Sequence, residues 1–453
     1  MKKGICYLAV TMMTAAMLSG CGSGAGNQNE AAADAAKTET MAASAETQKP
    51  EKSDKEQIVI TGITFEHEEG GLVWLDYVKE KFEAEHPGVT IEMESLSDDD
   101  YYALLRSKVS SGDVPDIFQI QSYEKNAEMI NAGLCYDLSK TDWLSENIQE
   151  NAIEALTTED GAVYALPVSL NIMCVTYNKD VFEQAGITEI PKTYSEFIAA
   201  CQKIKDIGLP AILGGYQDKW TMYAEEQNDQ IRTTILNDRN NRIDLAAGTT
   251  TWKEDKAKYS EVLKRWAQRL PYYNDDLFGT DWTTAENLLA TAKGGMILNG
   301  SWVYSGVKGI NPDCNIGIFP LPLTENPEDA KLLAASSLGG YCVNPNSEHV
   351  AEALEYLKAM SEPESGEAYM EYKMNITTSK NTTVSEDSYV KDFMEYVDAG
   401  VVFDWSGYNE VFADDELQNI WCTCISEFIM DENHDVDACL ERLDQQFQSA
   451  LNK

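Results

Sequence analysis

Gln57-Ile-Val-Ile-Thr-Gly-Ile-Thr-Phe-Glu66 opens the stretch that decides the fold. It is β-branched and apolar, and it reads as a buried strand that ends at Glu66-His67. Leu75, Val78 and Phe82 then recur on one stripe, which predicts a helix over 72–86 stopped by Pro87-Gly88. Val89-Thr-Ile-Glu-Met93 is a second strand. Ser97 caps a second helix whose first turn holds Asp98, Asp99 and Asp100, where carboxylates meet the positive end of the macrodipole. Tyr101, Leu104, Leu105 and Val109 give that helix its apolar face, and Gly112 ends it. Pro115-Asp-Ile-Phe-Gln-Ile120 is a third strand. Strand, helix, strand, helix, strand predicts an α/β fold with a doubly wound parallel sheet. Ligands of such sheets sit beyond the carboxyl ends of the strands, so Glu66-His67 and Gln121-Ser122-Tyr123 share one rim.

The pattern restarts further along. Val163 to Thr176 is one long apolar stretch broken by Pro167, Ser169 and Asn171. Thr193-x-x-Glu196 is a capping box ahead of a helix with Phe197, Ile198, Cys201, Ile204 and Ile207. Pro210-Ala-Ile-Leu213 reads as a strand ending at Gly214-Gly215-Tyr216, and helical regions come next over about 220–238 and 250–270. A second capping box, Thr283-x-x-Glu286, opens a helix closed by Gly294-Gly295, and Met296-Ile-Leu298 is the next strand. The chain therefore holds two α/β halves and crosses between them.

The 453 residues carry 35 Lys and Arg against 76 Asp and Glu, a formal net charge of −41. Such a surface repels phosphate backbones and anionic headgroups, which excludes a nucleic-acid partner and a basic membrane patch. At the N-terminus, Lys2 and Lys3 precede an apolar run from Gly4 to Gly20 that ends in Leu18-Ser-Gly-Cys21. A basic start, an apolar segment and small residues before a cut site describe a secretory signal. Gly22 to Gln57 contains no aromatic residue and is rich in Ala, Glu, Lys, Ser, Thr and Gly. It reads as a flexible tether with a span of roughly 30–36 Å. The tether holds four lysines and seven acids, so the acidity belongs to the body beyond it. Ten cysteines are present. Cys135, Cys174, Cys201, Cys342 and Cys439 lie in apolar stretches and read as small core residues, and mostly free thiols are expected.

Leu166-Pro-Val-Ser-Leu-Asn-Ile-Met-Cys-Val-Thr-Tyr-Asn-Lys-Asp-Val-Phe182 resembles the crossover segment of extracellular solute-binding proteins of the maltose-binding type, family 1. Phe82 to Ile91, Ser111 to Phe118, Lys293 to Trp302, Gly317 to Pro322 and Gly339 to His349 resemble further pieces of that family, in family order. Leu18-Ser-Gly-Cys21 resembles a lipobox, which implies lipidation of Cys21. The resemblance implies a two-lobed, periplasmic-binding-protein-like fold joined by hinge crossovers. It implies a signal over 1–20, a lipidated cysteine and tether over 21–57, a first lobe over 58–166 and 333–378, and a second over 167–332 and 379–453. The function it implies is that of the receptor subunit of an ABC importer. Such a receptor is a monomer anchored by lipid on the outer side of a membrane. It closes around a carbohydrate and delivers it to the permease.

A sugar asks for aromatic platforms and converging polar groups in a cleft. By the resemblance, Trp302 of Asn-Gly-Ser-Trp would stack on the sugar, Asn171 in the crossover would contact it, and Trp405 would bring a late aromatic. By position, Glu66, Gln121 and Ser122 stand at strand ends of the first half, and Tyr216 and Trp220 at the rim of the second. Gly339 and Gly340 either let backbone approach the ligand or supply a turn. Many members carry Phe-Trp after the first strand. Here Phe65 is followed by Glu66-His67, so one stacking aromatic is missing or supplied elsewhere.

An extracellular glycan hydrolase would need two carboxylates across a cleft, and 76 acids supply pairs by chance. Ala335-Ser-Ser-Leu-Gly339 misses the nucleophile elbow because it precedes a strand. Four scattered histidines argue against zinc, no phosphate loop exists, and no cofactor is expected. A receptor for a peptide or a cationic solute is the alternative, and the net charge alone favours the cationic solute.

Overall fold

The computed structural model describes residues 57–453 apart from 97, 122–128, 159, 231–240, 332, 338, 386–389, 392, 394–395, 397–401 and 404–414. Cys21, Ser122, Trp405, the signal and the tether up to residue 56 lie outside the described residues.

The opening stretch folds as Ile58–Thr64 (β1), Glu69–Glu85 (α1), Val89–Ser95 (β2), Asp98–Ser111 (α2) and Ile117–Gln121 (β3). β1 runs parallel to both neighbours, with Ile58 opposite Val89 and Gly62 opposite Ile117. α1 starts three residues before the expected position 72, and Trp74, Leu75, Val78 and Phe82 are buried against the sheet. Gly88, at φ 100°, turns the chain back into β2.

The remaining strands are Leu166–Pro167 (β4), Ser169–Asn178 (β5), Met296–Gly300 (β6), Ile316–Phe319 (β7), Leu333–Ser336 (β8), Gly339–Val343 (β9), Ile376–Thr377 (β10) and Val402–Phe403 (β11). The first sheet has the order β2-β1-β3-β9-β4, and β9 is antiparallel to both of its neighbours. The sheet is thus mixed, with its parallel part confined to the opening stretch. The second sheet is built around β5, which is buried from Leu170 to Asn178 and pairs antiparallel with β6, β7, β8 and β10. A strand covered on both faces reads as a continuous apolar run, as this one does.

The chain changes sheet at Val168, between β4 and β5, and again between β8 and β9. It changes once more between the helix Pro363–Tyr372 and β10. β8 therefore pairs in the second sheet, although the division expected at 333 lies ahead of it. Trp74, Phe82, Tyr341 and Tyr356 centre the core of the first sheet. Val175, Trp252, Trp266, Leu298 and Trp421 belong to the larger core beside β5. The eight cysteines from Cys135 to Cys439 are free thiols. Burial pushes Cys174 and Cys201 up to about 12, so they pack as small apolar side chains.

Five helices of the second half shape the surroundings of β5 and β6. They are Tyr194–Asp206 (α3), Trp220–Gln230 (α4), Lys256–Arg269 (α5), Trp282–Ala290 (α6) and Trp302–Ile310 (α7). Thr193 and Glu196 form the expected capping box at α3. The second box does not form. Asp281 caps α6, its carboxylate accepting from Thr284 N at 2.6 Å, and Glu286 turns inward. The strand expected at 210–213 shrinks to Ile212, which bridges Tyr273 and Met296. Pro210 has no N–H to donate, and the Asn274 side chain takes up Gly214 N at 2.8 Å, where a ladder would have continued.

Candidate functional site

Three tryptophans, each the first residue of its helix, come together at one place. Trp220 lies 4.8 Å from Trp282 and 6.4 Å from Trp302, measured between ring centroids. All three are half-buried. The backbone explains the convergence. Asp218 accepts from Trp282 N at 2.7 Å and so ties the start of α6 to the turn that opens α4. Asn228 donates to Asn299 O at 3.0 Å and pins α4 along β6. β6 ends at Gly300, where any side chain would collide with the Trp302 ring. Ser301 N donates to Ile172 O at 2.8 Å and fixes the start of α7 on β5. The Trp302 indole N–H is buried and has no hydrogen-bond partner among the described residues. A buried donor left open this way costs free energy until an acceptor arrives.

Glu286 stands one turn after Trp282 and is 7% exposed. Its carboxyl fills the space beside Gly306, where a Cβ would collide with it. Burial first, and then Glu68, push Glu286 up to about 8, against the opposing pull of its hydrogen bond with Trp282. It is therefore mostly a neutral acid at pH 7 and can donate as well as accept.

Residues that follow β1 and the helix Pro363–Tyr372 approach α7. Lys373, 8% exposed, forms ion pairs with Glu66 and with Glu68, the latter at 2.8 Å. Burial would lower the Lys373 ammonium, but Glu66 and Glu68 outweigh it and hold it well above the usual lysine range. Glu68 also lies 3.5 Å from the Ser305 hydroxyl of α7, so it reaches across to the helix that carries Trp302. Below them, Asn375 donates to Asn171 at 3.2 Å, Asn171 donates to Ser169 at 3.3 Å, and Ser301 donates to Asn375 at 3.0 Å. This chain of amides and hydroxyls joins β5, the start of α7 and the last crossing.

The structure thus brings Trp220, Trp302, Asn171 and Glu66 toward one locus, although the Glu66 carboxylate is held by Lys373 and the Asn171 amide by its neighbours. Tyr216 departs from its expected rim position. It is 3% exposed, donates to Glu225 at 2.6 Å and accepts from Trp266 at 3.2 Å, because the turn after Gly215 carries its ring into the core. Gly339 and Gly340 form no turn. They sit inside β9, and a Cβ on either would collide with the backbone of β3 or β4. The strands pinch together there, and that is what requires glycine. Gln121 ends β3, half-exposed, opposite Gly339.

Trp282, Glu286, Glu68, Ser305 and Lys373 escape sequence reasoning. Trp282 adds a third aromatic to the cluster, but it is hidden behind the Thr283-x-x-Glu286 pattern. Lys373 reads as one more exposed lysine. Among the described residues, no group of three or more His, Cys, Asp or Glu is placed to hold a metal ion, and no helix is long and apolar enough to cross a membrane.

Several known proteins resemble this chain. A multiple sugar-binding protein of Streptococcus mutans is 25% identical over 363 residues, covering 78% of this chain and 82% of the relative. A melibiose/raffinose/stachyose-binding protein of Bacillus subtilis is 25% identical over 328 residues, covering 71% and 74%. Among solved structures, a chitin oligosaccharide binding protein superposes with a TM-score of 0.71 at 20% identity, covering 88% of this chain and all of that one. The bacterial solute receptor AcbH superposes with a TM-score of 0.73 at 16% identity, covering 87% of this chain and again all of that one. These structures share the two-lobed fold. Residues 66–367 match the family described as bacterial extracellular solute-binding proteins, and the chain belongs to that family.

Proposed function

We propose that this protein is the sugar-capturing receptor of an ABC importer. A lobe built on the β1 sheet and a lobe built on the β5 sheet close around an oligosaccharide and present it to a membrane permease. The tryptophan cluster carries the reading. Three indole rings offer flat apolar faces to sugar C–H groups, and the open Trp302 N–H and the Glu286 acid offer hydrogen bonds to hydroxyls. The sugar-binding relatives support the same ligand class. The receptor has no chemistry of its own.

Calorimetric titration with raffinose, stachyose, melibiose, galactose and chitin oligosaccharides tests it. At least one should bind with no product formed, and turnover of any of them would sink the reading. Trp302→Ala should weaken the best ligand about fivefold or more, since a stacked aromatic contributes on the order of 1 kcal/mol. A loss below about threefold removes Trp302 from the platform. The net charge of −41 and the shared Lys373 favour a cationic solute as second reading, and a polyamine belongs in the same titration series.

We also propose that Cys21 is lipidated after removal of residues 1–20, so that the body hangs from the outer face of a membrane as a monomer. Cys21→Ser should move the protein from the membrane fraction into the medium. Unchanged fractionation would leave the anchor without support.

A further inference from the structure

Two thiols of the first sheet lie side by side. Cys342 stands in β9, fully buried, opposite Phe118 of β3. Its thiol donates to Tyr164 O at 3.0 Å and also meets the thiol of Cys135. The backbone sets up that meeting. Tyr136 N donates to Val343 O at 2.8 Å, so residues 135–136 run along the end of β9. Leu134 N donates to Met129 O at 3.1 Å and closes a turn just ahead of them. Met129, Ile130, Leu134 and Cys135 then pack on the same apolar cluster that holds Cys342. Among the eight described cysteines, Cys135 is the one that is not buried. Cys424 and Cys439 also approach each other, with Cys439 Sγ 3.8 Å from Cys424 O. Both of these are buried where the last two helices pack, out of reach of a reagent.

We infer that Cys135 and Cys342 are an oxidisable pair that closes to a disulfide outside the cell. The family is extracellular, and disulfides form and persist in such surroundings. The oxidant is a small-molecule disulfide. Cys135, the thiol within reach, loses its proton to solvent and attacks one sulfur of that molecule. A mixed disulfide forms and one small thiolate leaves. Cys342 then gives up its hydrogen bond to Tyr164 O and its proton to solvent. Its sulfur attacks that of Cys135 and expels the second small thiolate. Two protein thiols are oxidised, the small disulfide is reduced to two thiols, and the protons released by the protein are taken up by them. Access fixes the order. Burial first, and then Cys135, hold the Cys342 thiol well above the usual range, so it does not attack first. The chain leaves the first sheet after β4 and returns to it at β9. A bond from Cys135 to Cys342 therefore closes the whole excursion through β5, β6, β7 and β8 into one loop. Closing a loop that long restricts the unfolded chain and so stabilises the folded one.

The unaltered protein, purified without reductant and incubated with oxidised glutathione, tests this. It is denatured in iodoacetamide to block the remaining thiols and then cut with trypsin. Cys135 is the one cysteine of the tryptic fragment 126–140, and Cys342 is the one cysteine of 332–358. Mass spectrometry should find these fragments joined, lighter than their sum by the two thiol hydrogens, and separated again by dithiothreitol. The unfolding midpoint of the oxidised protein should fall by on the order of 5 °C on reduction, and that of Cys135→Ser should not respond. Both fragments carrying only the iodoacetamide label overturn the inference. So does Cys135 joined to glutathione with Cys342 alkylated, since the two thiols are then too far apart to pair. An equal fall of the midpoint in Cys135→Ser overturns it as well, because other cysteines would carry the effect.

Discussion

Arg269→Met destabilises the fold by roughly 3–5 kcal/mol near pH 8, the loss expected when one partner of a buried ion pair is removed. Arg269 is fully buried in the last turn of α5. It donates to Asp229 at 2.9 Å and to Glu225 at 3.1 Å, both on α4. Arg265, one turn earlier, donates to Asp229 at 2.9 Å. Tyr216 and Tyr273 donate to the two oxygens of Glu225. Two arginines thus balance two acids, and the variant leaves one negative charge in the core. Burial acts to raise Asp229, but Arg269 and Arg265 outweigh it and hold the carboxyl below the usual range. Glu225 is already raised by burial despite Arg269. In the variant, Glu225 becomes the group that takes the proton. An acid raised in the folded state gives stability that is lost as pH rises. The deficit in Arg269→Met should therefore be larger near pH 8 than near pH 5. Calorimetry should show the midpoint falling by about 5 °C. A loss below about 1 kcal/mol at pH 8 would mean that the network contributes packing alone. Because α4 begins at Trp220, the same variant should also loosen the tryptophan cluster.

How much of the molecule could be read from the sequence depends on how locally each feature is determined. β1, α1, β2, α2 and β3 could be read to within a few residues, because each buries one face and its apolar spacing records that. The capping box at Thr193 could be read because Glu196 is exposed, Thr193 is half-exposed, and both serve the helix end. Thr283-x-x-Glu286 has the same spacing and failed, because Asp281 offers a carboxylate to the same N–H groups and Glu286 is drawn into the interior by α7. Spacing says where an acid stands on a helix, and the facing helix decides what it does there. The crossing between β8 and β9 has no compositional mark, since Leu333–Ser336 and Gly339–Val343 are short apolar strands separated by two residues and belong to different sheets. Trp302 and Trp220 could be named as aromatics near a cleft. Their joining to Trp282 depends on the Asp218 contact 64 residues away, which no local pattern records.

The second large effect is a pH dependence that a single carboxyl should carry. Glu286 titrates near 4.5 as a free group and is raised to about 8 in the fold, by burial first and by Glu68 second. Between those values the folded state holds a proton that the unfolded state has released, so stability must fall as pH rises. The slope is about 1.4 kcal/mol per pH unit, which over this window amounts to a loss on the order of 4–5 kcal/mol. Glu286→Gln lacks the titration. The difference in unfolding free energy between the variant and the unaltered protein, taken from urea denaturation at several pH values, should grow from near zero at about pH 5 to its full value above about pH 8. Subtracting the two curves cancels the other acids of this chain, which titrate alike in both proteins. A difference curve that stays flat between about pH 5 and pH 8 would falsify the burial of Glu286 between α6 and α7 and return it to the helix-capping role its spacing suggested.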